Sequence, residues 1–173
     1  MQSRLYPFAV IIAAVTSIAL TALPWISLAP LGLDWSWNGL AMASVDLGDD
    51  LGVVGVGWAV VAAAVVAVLA ALIGLMPSPK VRPLLPLANA VAAAACALAA
   101  LAPITVLIWP SVFYGDLFTS IGASSFESEI PLKTPVIVAT TATILLTAVV
   151  CAASAVAAHR PDPEARAASA TKP

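Results

Sequence analysis

The sequence predicts an all-α membrane protein, a four-transmembrane-helix bundle with a small extracytoplasmic cap. Three observations predict it. Of the 173 residues, 62% are hydrophobic and only 9% are charged, and the mean hydropathy is +1.05; soluble domains are about a quarter charged. Charged residues are missing from four stretches, 5–33, 51–79, 83–115 and 134–158. Each exceeds the roughly 20 residues that a helix needs to cross the hydrocarbon core. None shows the period-two alternation of a barrel strand, and backbone in lipid must satisfy its own hydrogen bonds, so the stretches read as helices. The net charge of −2 offers no basic surface for phosphates, which sets nucleic acid aside as a partner.

The first span is expected over 5–27, with Pro24 and Trp25 near its exit. Met1 to Arg4 resembles the basic start of a signal peptide. The apolar run behind it is too long for one, and no small-residue cleavage site precedes a soluble domain, so the helix is expected to be retained. The loop that follows, about 26–51, contains Trp35-Ser36-Trp37-Asn38-Gly39-Leu40-Ala41-Met42. Asn-Gly between alternating large residues is a strong hairpin signal. A two-residue turn there would set Trp37 opposite Leu40 and Trp35 opposite Met42, all on one face. Asp46, Asp49 and Asp50 lack the spacing of a calcium loop and read as solvated charge.

The second span is expected over 52–76, ending before Pro77. Its opening, Gly52-Val53-Val54-Gly55-Val56-Gly57, is glycine-rich, but it has the wrong spacing for a dinucleotide fingerprint. Gly55, Ala59, Ala63, Ala67 and Ala71 recur every four residues. The third span, 84–108, repeats that spacing with Ala88, Ala92, Cys96 and Ala100. Small residues let helix backbones approach in lipid. The linker 77–82 is short enough to make the two helices antiparallel neighbours, so the two stripes are expected to meet. Pro103 should kink or end the third helix. Asn89 is its most polar residue.

In the next loop, about 110–133, Phe113, Leu117 and Ile121 stand at i, i+4 and i+8 beside Tyr114 and Phe118. They predict a short amphipathic helix lying in the interface, followed by a polar connection over 122–129. Pro135 suits the first turn of the fourth span, 135–158. That span carries Thr140, Thr141, Thr143, Thr147 and Ser154, which read as hydroxyls bonded back to their own helix or across to a neighbour. His159, the single histidine, ends it. The domain assignment is therefore 1–159 for the transmembrane unit and 160–173 for a disordered cytoplasmic tail.

Orientation follows from the basic residues. Arg4, Lys80, Arg82, Arg160, Arg166 and Lys172 fall on one side and only Lys133 on the other. By the positive-inside rule both termini are cytoplasmic, in a multi-pass protein of the inner membrane. All five tryptophans, Trp25, Trp35, Trp37, Trp58 and Trp109, then map to the outer side. Cys96 and Cys151 lie inside apolar runs and read as free thiols that pack like small apolar residues. No Asp, Glu, Lys, Arg or His falls at membrane depth, where ion-coupled transport keeps such groups despite their cost.

Leu23-Pro24-Trp25 closing the first span, a glycine-containing outer loop, the basic turn Lys80 to Arg82 and a short basic tail after the fourth span together make a pattern. It resembles small actinobacterial four-helix membrane proteins of the tryptophan-operon-associated type. The resemblance implies an architecture and carries no activity with it. Claudin-like proteins also place a Trp motif in the first loop, but the flanking loop cysteines are missing here.

These readings predict an accessory or assembly subunit of a larger envelope complex, without catalysis, cofactor or metal. Its partners would be the bilayer and a membrane protein or a second copy of itself. The expected outer contact surface is Trp25, Trp35, Trp37, Leu40, Met42, Trp109, Phe113 and Phe118. The alternative is a small oligomeric channel or lipid/solute carrier with a Thr-lined path. A membrane enzyme acting on lipid-linked substrates would need Asp34 or Asp116.

Overall fold

The computed structural model describes residues 5–45, 52–76, 78, 80–120, 122 and 132–159, the side chains of Arg82, Ala158 and His159 excepted. The acids Asp46, Asp49 and Asp50, residue Ile121, most of the polar connection after it and the tail 160–173 lie outside the described residues. So does the side chain of His159.

Helix dominates. In chain order the elements are α1 (Leu5–Thr21), strands β1 (Pro24–Ser27) and β2 (Ser36–Asn38), α2 (Trp58–Leu75), α3 (Leu85–Ala99), α4 (Leu101–Ile108), the short α5 (Ser111–Tyr114) and α6 (Leu117–Ser120), and α7 (Thr134–His159). Three helical runs are long and apolar enough to cross a membrane: α2, the combined α3 and α4 over Leu85–Ile108, and α7. The first helix is shorter, at 17 residues. Helix α1 packs on α2, α2 on α3, α3 on α7, and α7 back on α1, so the four rods close a ring.

Two expected boundaries move. The first helix stops at Thr21 rather than continuing to residue 27. Pro24 has no N–H to continue it and disfavours helical backbone at Leu23, and the chain becomes β1. The second helix begins at Trp58 instead of residue 52. Residues 52–57 carry three glycines, poor helix formers, and their backbone is used elsewhere: the Val54 N–H donates to the Phe113 carbonyl at 2.7 Å and the Gly57 N–H to the Gly39 carbonyl at 2.8 Å. Pro103 does not stop the third rod. The helix is interrupted only at Ala100, whose N–H still donates to Cys96 at 3.0 Å, and it resumes at Leu101. Pro103 has no N–H to offer the turn before it, which accounts for an irregularity there.

The interior between the rods is built of small side chains. Ala14, Ala64, Ala67, Ala92, Cys96 and Ala100 are buried, with Val60, Ile144 and Cys151 filling the wider gaps. The large aliphatic side chains point outward: Ile12, Leu69, Leu98, Leu101, Leu146 and Val149 are all exposed. This is the reverse of a water-soluble bundle, where large residues fill the core. In lipid it gives close backbone contact within and an oily surface without.

Six of the nine stripe residues are buried. Ala63, Ala67 and Ala71 are buried on α2, and Ala92, Cys96 and Ala100 on the facing rod, while Ala88 is half-buried. The Cys96 thiol reaches the Ala63 carbonyl at 3.7 Å. Ala59 is exposed and Gly55 precedes the helix, so the α2 stripe starts at Ala63.

Candidate functional site: the aromatic cap

At the ends of α1, α4 and α7 the two long loops fold onto each other. β1 and β2 pair antiparallel, with Ile26 opposite Trp37 and Ser27 opposite Ser36, and a bulge between Pro24 and Ile26. Single bridges extend the ladder on both sides, Ile26 to Leu132 and Trp37 to Ala43. A hairpin therefore exists in the first loop, but its arms and register differ from those read in the sequence. Its connection is the segment 28–35, which includes a 3₁₀ turn over Ala29–Leu31.

The Asn38-Gly39 turn is also wider than two residues. The Asn38 N–H donates to the Met42 carbonyl at 3.1 Å, and the Asn38 Oδ1 accepts from the N–H groups of Leu40 (2.9 Å) and Met42 (3.0 Å). This side-chain turn outcompetes the two-residue one and places Ala41 at a positive φ of 64°. Trp37 therefore faces Ala43 rather than Leu40.

The cap has its own core. Trp25, Ile26, Leu28, Trp37, Phe113, Tyr114, Leu117 and Phe118 pack with Val106 of α4 and Ile137 of α7. The Trp25 and Phe113 rings lie 5.6 Å apart, tilted by 43°, and Tyr114 and Phe118 meet edge-on at 5.2 Å, within the range where aromatic pairs attract. This changes the reading of the expected contact surface. Trp25 and Phe113 are completely buried, and Trp37 and Phe118 almost so. Their rings hold the cap together and offer nothing to a partner. Trp35 and Leu40 are half-buried. Of the eight, only Met42 and Trp109 are exposed, at 59% and 67%, and Trp58 joins them at 55%.

The predicted interfacial helix is likewise two short turns, α5 and α6, broken at Gly115 with φ +47°. The break turns Phe113, Tyr114, Leu117 and Phe118 all inward, so this segment serves as a wall of the cap core and does not lie flat in the interface.

Two glycines that the sequence reading took only as a hairpin turn and as part of a glycine-rich helix opening fix where the cap sits. The Gly39 N–H donates to the Thr21 carbonyl at 2.9 Å, and the Gly39 carbonyl accepts from Gly57 at 2.8 Å. A Cβ on Gly39 would come within 2.7 Å of the Trp25 ring, and one on Gly57 within 2.5 Å of the Thr21 methyl. The end of α1, the loop turn and the start of α2 thus approach as bare backbone. Their signals in the sequence were the Asn38-Gly39 pair and the glycine repetition over 52–57. Ile26 and Ile137 were also missed, since an isolated isoleucine at a span edge carries no pattern.

The five hydroxyls singled out on α7 are accounted for locally. Thr140, Thr141, Thr143, Thr147 and Ser154 each donate to the carbonyl four residues earlier at 2.8–3.0 Å, and Thr140 and Thr147 are buried. Asp34 and Asp116 are exposed. Among the described residues no three His, Cys, Asp or Glu side chains come together as a metal-holding group. Compared with family models, with curated proteins and with solved structures, the chain finds no match.

Proposed function

We propose that this chain is a four-span protein of the cytoplasmic membrane with both termini inside. In this reading it acts as an accessory or assembly subunit that presents a folded outer cap to a membrane-protein partner in an envelope complex. The observation that carries the reading is the cap itself. Its aromatic core and backbone ties make a preformed body, and Met42, Trp58 and Trp109 remain on the outside as large apolar groups. Preformed apolar surface binds at low ordering cost, and Trp and Met are favoured at contacts between proteins. Trp58 opens α2 and Trp109 follows α4, so both also fall at headgroup level in this topology.

The inverted packing, with alanine inside and leucine and valine outside, supports membrane embedding. The basic residues flanking the ends away from the cap support the orientation. Helix α1 is about 26 Å long at about 1.5 Å per residue, against a hydrocarbon core of about 30 Å. In this reading the edge of the cap, which begins at β1, completes its crossing, and local thinning of the bilayer absorbs what mismatch remains. The threonine-lined path has less support, because the hydroxyls of α7 bond to their own helix and two of them are buried between rods.

The test is purification from the native membrane in gentle detergent with a C-terminal tag, followed by mass spectrometry of what stays bound. A stoichiometric membrane-protein partner that is lost on Trp109→Ala, Trp58→Ala and Met42→Ala combined is the expected result. A lone chain, with solute flux in proteoliposomes that falls on Thr143→Val, would replace this reading with the channel.

A further inference from the structure

A cavity of about 370 Å³ lies at the end of the molecule away from the cap, where all four rods converge. Water takes up about 30 Å³ in the liquid, so the space holds on the order of a dozen water-sized groups. Val10 of α1, Gly74 of α2 and Leu85 of α3 give it an apolar wall, and Asn89 of α3 also lines it. Asn89 is only 6% exposed, one of five polar side chains buried among the described residues. Ser17, Thr21, Thr140 and Thr147 each donate to the carbonyl four residues earlier at 2.8–2.9 Å. The carboxamide of Asn89, the fifth, makes no hydrogen bond to any described residue. Neither of its polar atoms is walled in, because every fully enclosed side-chain nitrogen or oxygen among the described residues has a partner. Both therefore open onto the cavity that Asn89 lines.

The two atoms together define the partner they lack. The nitrogen carries donors and the oxygen accepts, and either one left unmet in apolar surroundings is costly. A carboxylate or a sulfate can accept from the nitrogen but has no proton for the oxygen. An alkylammonium can donate to the oxygen but accepts nothing from the nitrogen. An uncharged alcohol or carboxamide does both at once. Such a head also suits Ser154 on the same lining, whose hydroxyl proton goes to the Val150 carbonyl at 2.8 Å and whose oxygen remains an acceptor. An ion would in addition have to leave water for a largely hydrocarbon wall.

We infer that this cavity binds a neutral, single-chain amphiphile, its alcohol or carboxamide head accepting from the Asn89 N–H and donating to the Asn89 carbonyl. Its chain lies against Val10, Gly74 and Leu85. The volume sets the size: roughly ten carbons and a small head account for the dozen water-sized groups, which leaves no room for a two-chain lipid. The inference uses neither the orientation nor the accessory role proposed above, so its test and the partner test fail independently.

The experiment is photolabelling of the full chain in phosphatidylcholine vesicles by decanamide carrying a diazirine at its chain end, mapped by peptide mass spectrometry. Labelling is expected within 7–10, 70–74 and 85–89 in preference to the outward-facing Leu98, Leu101 and Leu146. At equal amounts in the membrane, unlabelled decanamide and decanol should compete about tenfold better than decyl sulfate, decyltrimethylammonium or decane, the effect of one buried polar group left unmet. This series needs no variant. Ala157→Phe, which fills the mouth from an exposed position, should abolish the labelling. Asn89→Leu should keep room for a chain but bring decane level with decanamide as a competitor. Labelling spread over the outward-facing leucines would overturn the assignment by leaving the cavity to water. Equal competition by all five compounds, labelling that persists in Ala157→Phe, or a head preference that survives Asn89→Leu would overturn it as well.

Discussion

Single residues divide here by the direction they face, and tryptophan shows it most clearly. Trp25 is enclosed by Phe113 and the Gly39 backbone, whereas Trp109 stands clear of the fold. Trp25→Ala should therefore cost about 3–5 kcal/mol, as for other large buried truncations. Trp109→Ala should stay within about 0.5 kcal/mol, as surface changes do. Thermal unfolding in detergent, followed by the fluorescence of the remaining tryptophans, separates the two; equal losses would mean the cap core is not as described. Gly39→Ala acts by overfilling instead. Its methyl would meet the Trp25 ring at 2.7 Å, and such overpacking costs about 1–3 kcal/mol. The same measurement should show that loss, with the largest spectral change from Trp25.

At the scale of elements, the helices are held by what their side chains lack. Ala63 and Cys96 let α2 and α3 approach until a thiol touches a carbonyl. Both cysteines are free and buried. An alkylating reagent should leave Cys96 and Cys151 unmodified in the folded chain and modify both after unfolding in hot detergent, as read by intact mass. Rapid modification in the folded state would rule out the described packing.

This is also the scale at which the sequence was most and least readable. Apolar runs free of charge announce long helices, because lipid forces that backbone solution, and four-residue spacing announces which face is small. The cap was legible as a place but not as a structure. Trp37 and Phe113 look the same in a sequence whether they face a partner or each other, since burial there depends on contacts between loops some 75 residues apart. The Asn38-Gly39 signal failed for a local reason: the Asn38 carboxamide captured two backbone N–H groups and widened the turn.

For the whole molecule, the proposed orientation makes a definite claim about sidedness. Ser44 is exposed beside the cap and Lys80 is exposed at the opposite end. With the native cysteines buried, Ser44→Cys should react with a membrane-impermeant maleimide on intact cells. Lys80→Cys should react only once the membrane is opened. The reverse pattern would invert the topology and put the cavity beside Asn89 on the outside.

The cap's ladder has a consequence for how the chain is made. The carbonyl of Trp25 is met by the N–H of Lys133 at 2.8 Å, and Ile26 bridges Leu132. Both partners are synthesised more than a hundred residues after the strand they complete. Until the ribosome has delivered the start of α7, the earlier segments wait with an open edge and uncovered rings, much as an arch stands on scaffolding until its last stone is set. In the proposed orientation, a chain that stalls or is cut before residue 132 displays that unfinished edge on the outer surface, where envelope chaperones and proteases can tell a completed chain from an aborted one.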